Sequence, residues 1–403
     1  MREGWERVTL GDVFSVSGER LGEHTQEPTV FSISKYDGVV PAAEYFDKRV
    51  ASANLAGYKV LRRGMWAYST IHIDEGSIAY NKTGMNGVVS PMYTLFNWNS
   101  EVHIPEYFEL LLRSDEMLAT YADNAQGSID RRRSLLWKTF SMLHVNVPPL
   151  AEQRRIVELI GALDEAIEAA DGAIEEQIGA LDSFLDVFTH LEMVPIGQVA
   201  STKSGASWAA ADSAAAPADG YRPVLTIVNT RPGGTIDLSE RTYVKGLARS
   251  AATLTGSSLV MIRTNGNRSR IGNVYRPGPA NVGDSVSAFQ FVIEPNSAQD
   301  RDYIYWMLRT PSRQAAISSA ASGSTGLGNI AAIRVKAMDI PWPDSAERAW
   351  LTELCEAFGE AVDAAKQAAA AIRFLRTELL SALLSGDHEI PSSYDRFLEG
   401  ISA

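Results

Sequence analysis

Cysteine is almost absent from the 403-residue sequence, in which Cys355 is the single example. One cysteine excludes an internal disulfide and a metal site built from several thiolates. The six histidines are scattered, and none stands at the spacing of metal ligands. The sequence also lacks a run of 18 apolar residues and the apolar core of a signal peptide. We therefore expect no membrane span and a cytoplasmic protein.

Familiar catalytic motifs are missing as well. The sequence contains no Asn-Pro-Pro-aromatic run, no Gly-x-Ser-x-Gly and no His-Glu-x-x-His. The stretch GQVASTKS at 197–204 has the Lys-Ser pair of a phosphate-binding loop, but Thr202 stands where the second glycine belongs. We therefore expect a non-catalytic chain without a metal or cofactor of its own.

Acidic residues outnumber basic ones, and the net charge is −12. This balance argues against a protein that coats nucleic acid with its whole surface. The charge is unevenly distributed, however, because residues 148–191 carry a net −8 and residues 192–340 a net +5. Local basic loops therefore leave nucleic-acid binding open.

A repeat of about 195 residues is the most informative feature that is present. Six segments recur in the same order, and only the first pair has a shorter offset, of 186 residues. The pairs are VTLGDVFSVSGE (8–19) with VPIGQVASTKSGA (194–206), GMWAYST (64–70) with SLVMIRT (258–264), VVSPMYTLF (88–96) with SVSAFQFVI (285–293), PEYFELLLRS (105–114) with RDYIYWMLRT (301–310), AQGSIDRRR (125–133) with ASGSTGLGN (321–329), and the Pro-rich segments 147–167 and 340–362.

Each repeat predicts the same series of elements. Alternating apolar residues between Gly, Asn and Asp turns predict a β-rich region. A short amphipathic helix follows, around 105–122 or 301–320. A strand-like stretch comes next, MLHVNV at 142–147 or IRVKAMDI at 333–340, and a long helix then begins after the prolines.

The two long helices carry apolar residues at alternating spacings of four and three, the pattern of a coiled coil. Gln177 and Arg376 are the polar exceptions among these positions. Helices of about 38–40 residues would span about 57–60 Å. A helix with one apolar stripe needs a partner, so the two could pair antiparallel within the chain. Alternatively, each helix could cap its own domain.

Residues 148–153, Pro-Pro-Leu-Ala-Glu-Gln, with Ile156 and Leu163, resemble the specificity subunits of type I restriction-modification systems. The succession of globular region, helix, globular region, helix and LLSG (383–386) extends this resemblance over nearly the whole chain. The second helix start departs from the pattern, with Pro341-Trp342-Pro343 and Glu347-Arg348.

The resemblance implies an α/β (α+β) fold with two β-rich target recognition domains, two long antiparallel coiled-coil helices and an internal pseudo-two-fold repeat. The implied parts are recognition domain 1 (1–147), spacer helix 1 (148–191), recognition domain 2 (192–340), spacer helix 2 (341–386) and a C-terminal tail (387–403). Each recognition domain would recognise one half of a split site in double-stranded DNA, and the helices would fix the spacing. Two modification (methyltransferase) subunits and the restriction/translocase subunits would be partners. S-adenosylmethionine, ATP and Mg would bind to those partners.

Donor-rich turns are the candidate DNA contacts, because base edges are recognised mainly by Arg, Lys, Asn and Gln. In the first domain they are Lys35, Tyr36, Asn81, Lys82, Asn86, Arg131, Arg132 and Arg133. In the second domain they are Asn229, Thr230, Arg231, Arg263, Asn265, Asn267, Arg268 and Arg270. We expect one or two of the three adjacent arginines on phosphates and one in an internal salt bridge.

The first helix start offers candidate partner contacts in Glu152, Gln153, Arg154 and Arg155. Two arginines at a helix N-terminus are unfavourably placed in the helix dipole, which favours a contact with phosphate or with a partner carboxylate. The first rival interpretation of the whole chain is a two-domain coiled-coil scaffold that never touches DNA, and the second is an enzyme with an unrecognised site in the Asn- and Arg-rich loop. Salt-dependent duplex binding would separate the scaffold from a DNA-recognition subunit.

Overall fold

Two units share the chain in the computed structural model, which describes residues 2–23, 28–45, 52, 54–126, 133–187, 192–321 and 327–398. Unit 1 comprises residues 1–169 and 369–403, and unit 2 comprises residues 170–368. Both long helices are therefore divided between the units. The bounds of the five parts expected from the sequence stay predictions.

The segment up to the end of the first long helix begins with short strands. The strands are β1 (Glu6–Thr9), β2 (Phe14–Ser17), β3 (Phe31–Ser34), β4 (Gly38–Pro41), β5 (Lys59–Leu61), β6 (Trp66–Ser69), β7 (Ile78–Tyr80), β8 (Gly87–Val89), β9 (Tyr93–Trp98) and β10 (His144–Val147). The helices are α1 (Leu10–Val13), α2 (Ala42–Tyr45), α3 (Pro105–Leu112), α4 (Asp115–Asn124), α5 (Trp137–Phe140) and the long α6 (Leu150–Val187).

The following segment has a matching series. Its strands are β11 (Met193–Pro195), β12 (Ala200–Ser204), β13 (Ser213–Ala214), β14 (Tyr221–Leu225), β15 (Thr242–Lys245), β16 (Leu259–Ile262), β17 (Thr264–Asn265), β18 (Val274–Tyr275), β19 (Ser285–Val286), β20 (Gln290–Pro295), β21 (Gly328–Asn329) and β22 (Asp339–Pro341). Its helices are α7 (Ile196–Val199), α8 (Arg301–Arg309), α9 (Pro311–Ala320), α10 (Ala332–Lys336), the long α11 (Ser345–Ser385) and α12 (Asp395–Leu398).

Both units are built around the same four-stranded antiparallel sheet. Its order is β2-β9-β6-β7 in unit 1 and β12-β20-β16-β18 in unit 2. A separate antiparallel pair joins β1 to β10 in unit 1, and its counterpart joins β11 to β22 in unit 2. The expected mixed fold and the internal repeat are confirmed at the level of topology.

Successive side chains of the central strand point to opposite faces of the sheet, and both faces are buried. Trp66 and Tyr68 of β6 pack into the cluster that contains α3, whereas Ala67 belongs to the cluster on the opposite face. In unit 2, Leu259 and Met261 pack towards α8, and Val260 lies on the opposite face. Such two-sided burial explains why β16 is apolar throughout, and β6 is apolar up to its last residue, Ser69, rather than alternating.

The register of the repeat shifts by one residue at this strand. Trp66 pairs with Phe96, and Leu259 pairs with Ile293. Trp66 therefore corresponds to Leu259, and the sequence alignment of 64–70 with 258–264, which matches Trp66 to Val260, is wrong by one position. A one-residue slip moves every side chain to the other face, and a uniformly apolar strand gives no pattern to reveal it.

Two further expectations need correction. The amphipathic helix of each repeat is broken in two, at Ser114, whose side chain accepts a hydrogen bond from the backbone N–H of Met117, and at Thr310, which precedes Pro311. The stretch 333–340 is not one strand, because residues 332–336 form α10 and only Asp339–Pro341 pair with β11. Its apolar residues serve two elements in succession, which a single pattern cannot separate.

Apolar heptad positions of the long helices are buried where the two helices meet. In unit 1, Ile156 and Ile160 near the start of α6 pack with Leu383 near the end of α11. In unit 2, Leu181 near the end of α6 packs against the cluster that holds Leu351 and Cys355 near the start of α11. The helices are therefore antiparallel within each unit, as expected.

The polar heptad residue Arg376 is accommodated by an ion pair in unit 1. It donates two hydrogen bonds to Asp164, of 2.5 and 2.9 Å. The predicted cap of the second helix is also present, since Asp344 accepts hydrogen bonds from the backbone N–H groups of Ala346 and Glu347. No helix among the described residues combines the length and apolar character that a bilayer crossing requires.

Candidate nucleic-acid interface

The basic loop of unit 2 occupies residues 263–273, between β16 and β18. Arg263 at its base donates a hydrogen bond of 3.1 Å to the side chain of Asn329, and its guanidinium lies 5.1 Å from the ring centre of Phe291. Asn267 accepts hydrogen bonds from the backbone and hydroxyl of Ser269, which shapes the turn. Asn267 and Arg268 are exposed at the tip, and Asn265 is half-buried.

Arg270 connects this loop to the second candidate loop, residues 227–234. Its guanidinium donates to the backbone oxygen of Thr230. Thr230 itself is buried, and its hydroxyl donates to the backbone oxygen of Ile227. The fold thus brings together two candidate segments that are about 40 residues apart in the sequence.

Asn229 holds the second loop in shape. Its side chain is 2% exposed and accepts hydrogen bonds from the backbone and hydroxyl of Thr226. Its amide nitrogen donates to the backbone oxygens of Asp237 and Glu240. Because these four bonds use the hydrogen-bonding capacity of the amide, Asn229 supports the loop from inside.

Arg231 projects from the same loop. Its side chain is about half exposed, and one guanidinium nitrogen lies 3.0 Å from a carboxylate oxygen of Asp237. Hydrogen bonds from Ser239, together with those from Arg231, lower the pKa of Asp237 to about 2. Asp237 is therefore ionised at neutral pH and offsets part of the charge of Arg231.

The candidate residues of unit 1 also separate into supporting and exposed groups. Asn81 is 1% exposed; its amide donates to the backbone oxygens of Arg62 and Met85, and its carbonyl accepts from Thr83. Lys82 is exposed and lies 2.5 Å from a carboxylate oxygen of Glu109 on α3. Asn86 is exposed and accepts a hydrogen bond of 2.9 Å from the backbone N–H of Arg63.

The turn between β3 and β4 presents Lys35 and Tyr36. The Tyr36 ring is 75% exposed, and the Lys35 ammonium lies 5.0 Å from its centre. Arg113, at the end of α3, donates hydrogen bonds to the backbone oxygens of both residues. The turn therefore offers an exposed ring and a cation on a backbone that is held in place.

The three adjacent arginines are only partly described. Arg131 and Arg132 lie outside the described residues. Arg133 donates two hydrogen bonds, of 3.2 and 3.0 Å, to the backbone oxygen of Ala125. Arg133 has an internal role, although its partner is a backbone carbonyl rather than the expected carboxylate.

Three of the four residues at the first helix start make contacts within unit 1. Glu152 accepts a 2.9 Å hydrogen bond from Arg2, and Arg155 donates two bonds to Asp395. Gln153 is fully buried and bonded to the segment before α3. Arg154 is exposed and is the most accessible of the four to a partner.

Two further arginines lie at the candidate loops, and the sequence alone did not single them out. Arg113 binds the Lys35–Tyr36 turn in unit 1, and Arg309 lies at the corresponding end of α8 in unit 2. A Cβ added to Gly234 would lie 3.0 Å from the guanidinium of Arg309. The signal was present in the repeat, because LLLRS at 110–114 aligns with WMLRT at 306–310.

The weak phosphate-loop candidate is a strand in the structure. Residues 200–204 form β12, which pairs with β20, and Lys203 lies opposite Val292. No group of three His, Cys, Asp or Glu side chains suited to a metal ion occurs among the described residues.

Comparison with known proteins gives both a sequence and a structural likeness. No protein-family model matches the chain. The specificity subunit of the type I restriction enzyme HindI from Haemophilus influenzae is 26% identical over 168 residues, which are 41% of this chain and 36% of that subunit. A chain from a solved type I R-M system superposes with a TM-score of 0.61 and 16% identity, covering 96% of this chain and 99% of the other. The chain is similar in sequence to a type I specificity subunit and in fold to a chain of a type I R-M system.

A further solved structure, the HsdS subunit from Thermoanaerobacter tengcongensis, has 17% identity and a TM-score of 0.45, with 96% of this chain and 98% of that one covered. The sequence match to the HindI subunit spans only about a third of that curated relative. The likeness to the chain of the solved type I R-M system, with its TM-score of 0.61, shows the fold over 96% of this chain.

Proposed function

We propose that this chain is the DNA sequence-recognition subunit of a type I restriction-modification complex. Each unit would recognise one half of a bipartite site in double-stranded DNA. The observation that carries the proposal is the duplicated topology, with the same sheet and strand pair in both units. It is supported by the structural likeness to a chain of a type I R-M system over 96% of this chain.

The exposed residues of the candidate loops supply suitable chemistry for DNA. In unit 2, Arg231, Asn267 and Arg268 can donate to guanine or adenine edges in the major groove or to phosphates. In unit 1, Lys35, Lys82 and Asn86 offer the same donors, and the Tyr36 ring can pack on a sugar or a base. The buried amides Asn81 and Asn229 would position these loops without contacting DNA.

The long helices would fix the separation of the two half-sites and dock two modification subunits. The long helix α11 carries large apolar side chains at exposed positions, and a contiguous exposed apolar patch marks an interaction site. In unit 1, Phe374 and Leu375 of α11 are 69% and 53% exposed; in unit 2, Trp350 is 54% exposed. With Arg154, these residues are the proposed docking contacts, and restriction/translocase subunits would join the complex through the modification subunits.

The recognition chain would take no part in bond breaking. Methyl transfer with S-adenosylmethionine, and translocation and cleavage with ATP and Mg, would belong to the partner subunits. The complex would act on chromosomal and incoming DNA in the cytoplasm. The domain boundaries expected from the sequence, with recognition domains at 1–147 and 192–340, are part of this proposal.

A binding experiment tests the proposal against the protein scaffold that never touches DNA. The chain in complex with its modification subunit is titrated with labelled duplex at several salt concentrations. DNA recognition predicts an affinity that falls steeply as salt rises, because bound cations are released from the phosphates. Binding that is absent, or independent of salt, would favour the scaffold.

Arginine variants locate the contacts. Arg268→Ala is expected to cost about 1–3 kcal/mol of discrimination at one half-site if the side chain meets a base. An equal loss on every sequence, with a smaller salt slope, would identify a phosphate contact instead. Arg249→Ala is the matched control, because Arg249 is exposed in the same unit and lies outside the candidate loops.

A further inference from the structure

The starts of the two long helices differ in sequence but make the same connections. In unit 1, the carbonyl of Gln153 accepts a 3.1 Å hydrogen bond from the backbone N–H of Ile104, the residue that precedes α3. Its amide nitrogen donates to the backbone oxygen of Pro148 at 2.8 Å and also lies 3.0 Å from the ring of His103. We call this set of contacts joint 1.

Unit 2 has the corresponding contacts at Arg348, which stands 195 residues after Gln153. Arg348 donates a 2.9 Å hydrogen bond to the carboxylate of Asp300, the residue that precedes α8. It also donates to the backbone oxygen of Pro343 at 2.6 Å, five residues before it, as Pro148 is five residues before Gln153. We call this set joint 2.

The chemistry of the two joints is matched residue by residue. A glutamine amide can accept from a backbone N–H and donate to a carbonyl at the same time, whereas a guanidinium only donates. With arginine in place of glutamine, the other side must offer an acceptor, and Asp300 supplies it where unit 1 has Ile104. Different side chains thus make the same connection between a long helix and the residue before α3 or α8, which indicates that this connection is required.

Both joints are buried enough to hold a defined geometry. Gln153 is fully buried. The side chains of Arg348 and Asp300 are each 14% exposed, and the Arg348 guanidinium lies 4.3 Å from the ring centre of Trp342. A shielded ion pair of this kind resists rotation better than an exposed one.

We propose that Gln153 in joint 1 and the Arg348–Asp300 pair in joint 2 are positioning residues that fix the orientation of each recognition domain on its own helix. This inference rests on the proposed function, because a fixed orientation of each recognition domain would set the length of the gap between the two half-sites. One step along DNA is about 3.4 Å, so a recognition domain must be held firmly on its helix to exclude a gap that is one base pair longer or shorter.

The test uses the chain in complex with its modification subunit in a host without other DNA methylation. Methylation is scored on a library that keeps both half-sites and varies the gap by one base pair in each direction. The variants are Asp300→Asn and Arg348→Gln in joint 2, their combination, and Gln153→Glu in joint 1. Arg222→Gln is the control, because it removes a half-buried unit 2 arginine whose side chain donates to the backbone oxygen of Ala248 and belongs to neither joint.

Each single variant is expected to keep both half-site sequences and to gain about tenfold in methylation of the altered gaps relative to the original gap. The combination of Asp300→Asn with Arg348→Gln should recover part of the selectivity, because the two amides can bond to each other. The control should keep the parental ratio.

A parental gap ratio in all joint variants, with methylation lowered equally at every site, would overturn the inference and leave the joints a purely structural role. A changed half-site sequence would overturn it as well. If Arg348→Gln does not accumulate, Arg348→Lys carries the same test, since it keeps the charge and loses the fixed two-point contact. Absence of methylation by the unaltered chain would instead be a failure of the proposed function.

Discussion

Single residues in the candidate loops divide into buried side chains that support the loop and exposed side chains that are proposed to contact DNA. Asn81 and Asn229 lie inside their loops and use their amides on the backbone. Arg268 and Asn267 lie outside, at the tip of the neighbouring loop. Variants of the two groups should therefore affect stability and DNA binding differently.

Asn229→Ala should lower the free energy of unfolding by about 1–3 kcal/mol, because it removes the four hydrogen bonds of a buried amide and leaves two partly buried backbone oxygens without their donors. Arg268→Ala should change it by less than about 0.5 kcal/mol, as expected for an exposed side chain, while weakening DNA binding. Denaturant unfolding and duplex titration of both variants check the prediction. Equal stability losses in the two would contradict the assignment of roles.

His103 gives joint 1 a dependence on pH. Burial lowers the pKa of its imidazole from 6.5, and the nearby carboxylate of Glu6 opposes this shift only in part. The unfolded chain therefore binds a proton more readily than the folded one, so the free energy of unfolding should decrease as the pH falls below about 6.5. Protonation would also turn the acceptor nitrogen that faces the Gln153 amide into a donor.

Thermal unfolding between pH 8 and pH 5 measures this effect. In His103→Gln the side chain does not titrate, and the loss of stability on acidification should be smaller than in the unaltered protein. Identical pH profiles for the two proteins would show that His103 does not contribute.

Helices can pack closely where a glycine leaves room for a neighbouring side chain. Two glycines of the long helices differ in this respect. A Cβ at Gly359 of α11 would lie 2.5 Å from the Trp306 ring on α8, whereas a Cβ at Gly172 of α6 would meet no atom within 4 Å. Both positions belong to unit 2. They therefore form a matched pair for testing helix packing in that unit.

Gly359→Ala should destabilise unit 2 by about 1–3 kcal/mol, since the Trp306 ring must move in a filled core. Gly172→Ala should stabilise it by about 0.5–1 kcal/mol through helix propensity. Chemical denaturation of the two variants decides the matter. A stabilising effect of Gly359→Ala would show that α11 does not approach α8 as closely as described.

The sequence was most informative about the positions of secondary-structure elements. Heptad spacing located both long helices, and Asp344 marked the start of the second. Register was harder to obtain, because Trp66 and Leu259 lie in strands buried on both faces and carry no alternation. The burial of Asn81 and Asn229 was out of reach, since an amide in a polar turn looks the same in sequence whether it faces solvent or the backbone.

The whole molecule carries one sheet topology twice, and this duplication suits a DNA site with two halves. The sequence showed the duplication directly through segments in the same order. It did not show that Arg348 in the second repeat substitutes for Gln153 in the first, because the matching change at Asp300 lies about 50 residues away. The departure from the expected motif is therefore compensated within unit 2.

Methylation mapping of the unaltered chain tests the central claim most directly. The chain is expressed with its modification subunit in a host without other DNA methylation, and modified bases are located across the genome. Recognition by two units predicts one asymmetric motif in two parts, separated by a fixed number of unspecified bases. Absence of methylation, or methylation confined to a single uninterrupted short motif, would contradict the account.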